Sequence, residues 1–217
     1  KLNHTITRIE GKDRVERVTI SKVDDNFNPI PGSEEKIECD TVLLSVGLIP
    51  ENELTKDMGL DLHPVTGGPL VNEQRETNID GVFASGNVLH VHDLVDWVTE
   101  ESEIAGRGVY NYLSHNRKKR KNNLTLKPGK NVNYIVPHKI EFSDPDRNYT
   151  KLFMRVKKPM EEVKINLINN GQNLLSYNQD IVTPGEMVNV NLPESIINED
   201  MKNIKISIEK KESDNDV

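Results

Sequence analysis

The residues best placed to do chemistry lie between Thr77 and Glu103. Gly81 to Ser85 reads as a short apolar strand ending in Gly86-Asn87, followed by a loop and by a helix beginning near Asp93. Open α/β sheets present ligands at this kind of strand end. Gly86 lets the backbone approach a ligand closely, and Asn87 can both donate and accept hydrogen bonds, as a sugar-alcohol hydroxyl or a phosphate requires. The free N–H groups at the helix start would favour negative charge. Taken alone, Ala84-Ser85-Gly86-Asn87 is more often an ordinary strand-to-helix turn. His90 and His92, with Asp93, Asp96 and Glu100 nearby in sequence, offer a metal reading. Hydrolytic His-x-His patterns place the Asp two positions after the second His, whereas Asp93 follows directly. The favoured reading is therefore Asp93 as the helix N-cap, His90 and His92 as loop residues, and no metal. Trp97 reads as core packing, and Glu100, Glu101 and Glu103 as a solvated helix face.

The elements that must carry these residues differ in texture along the chain. Alternating apolar positions from His4 to Ile20 around Gly11-Lys12-Asp13 predict two antiparallel strands and a turn. A polar loop, Asp24 to Glu35, leads to a strand at Asp40 to Val46 whose Val42-Leu43-Leu44 run predicts burial on both faces, ending at Gly47. A short helix at Glu51 to Met58 closes at Gly59, and Leu70-Val71 reads as a strand. Apolar spacing predicts a helix over Leu94 to Leu113, against the propensity of Gly106 and Gly108. Arg117 to Lys121 is expected in water beyond its C-terminus. From Leu124 the pattern is all β, with strands at 132–136, 152–156, 163–168, 174–182, 187–192 and 204–208, which predicts a small β-sandwich. The stretch 211–217 is polar and expected to be disordered.

Composition narrows the classes. With 35 acidic and 28 basic residues the net charge is −7, which argues against a nucleic-acid binder. No apolar run reaches membrane-span length and no secretory signal opens the chain, so a soluble, cytoplasmic protein without a membrane partner is expected. The single cysteine, Cys39, reads as structural. Lys1 opens directly into a predicted strand, the expectation for a piece of a longer chain.

Two further segments give the Thr77 to Asn87 stretch a context. Val42 to Asn52 resembles the hydrophobic-strand, small-x-Gly-x-x-Pro crossing of flavoproteins with two dinucleotide-binding domains, and Gly68 to Thr77 resembles the approach to their flavin strand. In order and spacing the three resemble the C-terminal part of an FAD- and NAD(P)-dependent oxidoreductase of the pyridine nucleotide–disulfide oxidoreductase family. The resemblance covers roughly Val15 to Leu113. It implies α/β architecture, a fragment of Rossmann-like FAD/NAD(P)-binding domains, followed by the all-β sandwich. The implied boundaries are 1–50 for the end of the nicotinamide-binding domain, 51–121 for the C-terminal half of the FAD-binding domain, 122–210 for the sandwich and 211–217 for the tail.

Carried over by residue, the resemblance places Gly86 and Asn87 against the ribityl chain and pyrophosphate of FAD. Leu94, Val95 and Asp96 would lie at the pyrimidine edge of the flavin, and Gly47 where the chain re-enters the flavin domain. The family usually has Asp where this chain has Asn87, which keeps a hydrogen bond but loses a charge. Neither Gly-x-Gly-x-x-Gly loop nor a Cys-x-x-Cys pair occurs, so the piece alone should hold FAD and NAD(P)H weakly, and no catalytic residue is identifiable. The expected function is a contribution to an NAD(P)H oxidoreductase that passes electrons to a small acceptor or a protein partner. The alternative is a partner-docking sandwich on a non-catalytic α/β scaffold.

Overall fold

A computed structural model describes residues 1–115, 117–143 and 147–211. Residues 212–217, nearly all of the tail expected to be disordered, lie outside the described residues. The structure is mixed α/β, mostly strands with few helices, and divides into two compact units, Lys1–Gly47 and Leu48–Val217.

The first unit is an antiparallel meander of β1 (His4–Glu10), β2 (Arg17–Lys22) and β3 (Glu35–Glu38), in that order. Central β2 buries Val18 and Ile20, as the alternation predicts. The strand expected at Asp40 to Val46 does not form. Residues 41–50 make no ladder, and Leu43, Leu44 and Val46 are 91%, 63% and 79% exposed. An apolar run becomes a doubly buried strand only when strands pair with it and layers cover it. Here the polar segment Glu35–Glu38 takes the place beside β2 instead, with Val18 opposite Ile37.

The second unit opens with the short helix α1 (Glu53–Asp57), after which Gly59 adopts φ +74°, the left-handed conformation common just past a helix end. Leu70-Val71 and Gly81 to Ser85 do not form strands. Isolated bridges Leu62↔Pro69, Asn72↔Lys139 and Glu76↔Phe83 hold this region instead. A 3-10 turn (Gly86–Val88) precedes α2 (Val95–Leu113). In the basic run Lys118, Lys119 and Lys121 are exposed as expected, though on a strand, while its two arginines are not free in water. Arg120 is buried and paired to Glu194, and Arg117 pairs with Glu76 while lying over the Tyr112 and Phe142 rings.

Eight strands follow: β4 (Lys118–Pro128), β5 (Val132–Val136), β6 (Lys139–Ser143), β7 (Tyr149–Val156), β8 (Met160–Asn169), β9 (Gln172–Val182), β10 (Val188–Pro193) and β11 (Asn203–Lys210). They form a five-stranded sheet, β6-β4-β11-β8-β9, and a three-stranded sheet, β10-β7-β5. At the β8–β9 hairpin both Asn170 (φ +47°) and Gly171 (φ +82°) are left-handed, as a two-residue Asn-Gly turn requires. One apolar core joins the sheets, with Leu152, Met154 and Val156 of β7 packed among Leu124, Ile140, Ile165, Ile204 and Ile206.

The other face of the three-stranded sheet is covered as well. Tyr134 and Val136 of β5 pack with Val71 and Leu89. Phe153 of β7 meets His90, His92 and Trp97 at ring separations of 6.0, 5.8 and 5.5 Å. The sheet thus lies between its partner sheet and the segment that carries the candidate site.

Candidate functional site

A carboxylate organises the site. Glu101 lies on α2, fully buried, where the sequence suggests a solvated face. Its Oε1 accepts from Arg75 Nε (3.1 Å) and is 3.2 Å from His90 Nε2; its Oε2 accepts from the Gly86 N–H (2.9 Å) and is 2.8 Å from His92 Nε2. Burial alone would raise the Glu101 carboxyl. The hydrogen bonds from His90 and His92 and the Arg75 charge outweigh it and hold the group well below the usual carboxylate range. An ionised carboxylate only accepts, so both imidazoles donate from Nε2, and neither Nδ1 has a hydrogen-bond partner. Burial pushes the His90 imidazole down, against the pull of Glu101.

Among the described residues, His90, His92 and Glu101 also bring potential metal-ligand atoms within 4.8 Å of one another. The donor set does not suit a cation. Binding through both Nε2 atoms would move each proton to Nδ1, and neither Nδ1 has a hydrogen-bond partner. Metal-bound histidines ordinarily donate that second N–H to an acceptor. The Arg75 guanidinium, buried against the same carboxylate, would add like-charge repulsion to a bound cation.

Glu101 fixes the turn that carries Gly86 and Asn87. Gly86 is left-handed (φ +70°), and a side chain there would meet Val98 Cγ1 at 3.3 Å. Asn87 is exposed, and its Oδ1 accepts the His92 N–H at 3.1 Å. The carbonyl is therefore occupied within the loop, and the amide NH₂ remains for a ligand. Leu94, Val95 and Asp96 are exposed at the start of α2, where Leu94 is the N-cap and gives no side-chain cap. The Val95 and Asp96 N–H groups are left open, while the Trp97 N–H donates to the Leu94 carbonyl (3.2 Å). Asp93 is not the cap. Its carboxylate is held by Arg155 (2.5 Å) and the Met187 N–H (2.6 Å). The structure thus brings Gly86, Asn87, Leu94, Val95 and Asp96 onto one turn-and-helix segment, while Gly47 belongs to the first unit.

Sequence reasoning missed Arg75 and Glu101. The stretch Asn72–Glu76 reads as a polar turn, and residues 71–77 are all buried. Asn72 Oδ1 accepts the N–H groups of Gln74 (2.9 Å) and Glu76 (3.1 Å), and Arg75 takes φ +66°. Glu73 accepts the Glu141 and Phe142 N–H groups, and burial raises its carboxyl despite Arg147. The available signal was Gly108, whose missing side chain would sit 2.3 Å from the Gln74 carbonyl oxygen and so lets α2 close on this turn.

Residues 1–110, half of the chain, match the pyridine nucleotide-disulphide oxidoreductase family. The chain belongs to that family. Its relatives include an NAD(P)H sulfur oxidoreductase (CoA-dependent) of Pyrococcus abyssi, 30% identical over 95 residues, covering 44% of this chain and 18% of that protein. A ferredoxin–NADP reductase of Picrophilus torridus is 28% identical over 90 residues, covering 42% and 25%. A dihydrolipoyl dehydrogenase of Manduca sexta is 33% identical over 82 residues, covering 36% and 16%. The match thus spans a quarter or less of each of these relatives. Within this family of FAD- and NAD(P)H-dependent oxidoreductases, the matched region ends inside α2, so the β-rich segment that covers the site lies beyond it. Among the described residues no helix is long and apolar enough to cross a membrane.

Proposed function

We propose that the chain supplies the ribityl and ring-edge side of the FAD site in an NAD(P)H-dependent oxidoreductase. The observation that carries this reading is the left-handed Gly86 turn, locked by Glu101 beside an uncapped helix start. Bound FAD would supply the redox chemistry between the nicotinamide cofactor and a small acceptor or a protein partner. The chain's own residues bind and orient it. Gly86 gives close backbone approach, the Asn87 amide donates to a hydroxyl or phosphate oxygen, and the open N–H groups of Val95 and Asp96 favour negative charge at the ring edge. Residues 1–50, with Gly47, close the nicotinamide-binding part, 51–121 continue the flavin-binding part, and 122–210 form a sandwich.

The test is the visible spectrum of the complete gene product. The wild type is expected to carry FAD. Gly86→Val, which forces a β-branched side chain into a left-handed position against Val98, should fold but lose the flavin absorbance. A colourless wild type that takes up no FAD, or a Gly86→Val variant that keeps a full complement, would refute the reading.

A further inference from the structure

We infer that the outer face of β7 positions the flavin-side segment, with Arg155 as the positioning residue that keeps the start of α2 open. The inference rests on the FAD reading above. Strand alternation puts Leu152, Met154 and Val156 into the core between the sheets and turns Lys151, Phe153 and Arg155 the other way. Each of these three engages residues 90–101. Lys151 Nζ lies 2.6 Å from Glu100 Oε2 and 4.7 Å from the Trp97 ring centre. Phe153 packs against His90, His92 and Trp97. Arg155 Nη2 donates to the Val91 carbonyl (3.1 Å) and to Asp93 Oδ1 (2.5 Å), while the Met187 N–H holds Asp93 Oδ2 (2.6 Å).

Asp93 immediately precedes the N-cap of α2, close enough along the chain for its charge to act on the helix start. Arg155 and Met187 draw it away. The helix start is left without a side-chain acceptor and with a single negative charge in its first turn, that of exposed Asp96. Released from Arg155, Asp93 would add a second negative charge at the place where reduced flavin carries its own, and would disfavour reduction.

The experiment uses the complete gene product and reads the flavin midpoint potential, with FAD content measured alongside. Arg155→Ala should lower the reduced-to-oxidised ratio at fixed potential about two- to fivefold, the range of one charge at a helix end. Adding Asp93→Asn should restore it. Should Arg155→Ala fail to fold, Arg155→Lys, whose shorter side chain keeps the charge but lacks the fork that also reaches the Pro184 carbonyl, should shift the ratio the same way by less. An unchanged potential in the folded variant overturns the inference, as does a shift that Asp93→Asn does not reverse. If the wild type binds FAD and Gly86→Val loses it, either result refutes the Arg155 role alone. A wild type that takes up no FAD overturns both readings.

Discussion

Replacing Glu101 by Gln tests whether one buried carboxylate holds the site together. Glutamine is nearly isosteric, so the effect is electrical and directional rather than one of volume. Glu101 receives Arg75 and His90 on one oxygen and Gly86 and His92 on the other. Gln offers one acceptor oxygen and one NH₂. The two imidazoles can switch tautomer to accept from that NH₂, but the Arg75 guanidinium and the Gly86 N–H cannot. Whichever way the amide turns, one obligate donor faces another. Arg75 also loses its counter-charge while fully buried, with both terminal nitrogens already lacking partners. Breaking a buried pair in this way costs about 3–5 kcal/mol, a large part of the ~5–15 kcal/mol that holds a typical domain folded. The neighbouring substitution Glu100→Gln removes a partly exposed contact to Lys151 and should cost under ~1 kcal/mol. Urea unfolding followed by circular dichroism and by the fluorescence of the only tryptophan, Trp97, measures both. A loss below about 1 kcal/mol for Glu101→Gln, or equal losses for the two variants, would refute the hub.

Other expectations follow from the same contacts. His138 accepts the Val71 N–H on Nδ1, and burial, aided by His63, lowers its pKa to about 3. The folded state therefore binds fewer protons than the unfolded one below the ordinary histidine pKa of 6.5. Stability should be complete above about pH 6.5 and fall as pH drops toward 3, by at most ~1.4 kcal/mol per pH unit from this group. His138→Gln should flatten that slope in denaturation series at pH 7.5 and 5, and an unchanged slope would refute it. Gly108→Ala should destabilise by about 1–3 kcal/mol through overpacking against the Gln74 carbonyl, in contrast to Gly106→Ala, where a side chain meets open space. Thermal melts of the pair should move in opposite directions. Asn87→Asp keeps the His92 N–H bond but replaces the outward amide donor by an acceptor, and FAD titration of the gene product should show an altered dissociation constant with unchanged melting of the apoprotein.

Much of the fold is legible from local chemistry. Period-2 alternation and the Asn-Gly turn specify the β8–β9 hairpin, and period-3.6 spacing specifies α2, because each element chooses its own face. What was not legible depends on which neighbour arrives. The apolar run Val42 to Val46 carries a strand pattern but makes no ladder, whereas polar Glu35–Glu38 pairs because β2 lies beside it. Lys118 to Lys121 looks like a solvated basic block and becomes strand because β6 pairs beside it, Lys118 opposite Ser143 and Lys119 opposite Phe142. At the site, the turn residues Gly86 and Asn87 were readable from type and position. Glu101 was not, since an acidic run on a helix gives no sign that one member faces inward toward an arginine distant in sequence.

That inward face bears on how the β-rich half is understood. A separable docking module would leave the α/β part intact when deleted. Removing Leu124 to Val217, however, would strip Phe153 from His90, His92 and Trp97, and Arg155 from Asp93. It would also strip the Glu141 and Phe142 N–H groups from the Glu73 carboxylate, and His138 from both polar groups of the Val71 backbone. Each loss leaves a group that water must then reach, and the buried turn 71–77 would lose its cover together with its acceptors and donors. The deletion is therefore expected to unfold α2 and the Gly86 turn instead of releasing a partner. The β-rich half is part of what makes the candidate site rigid.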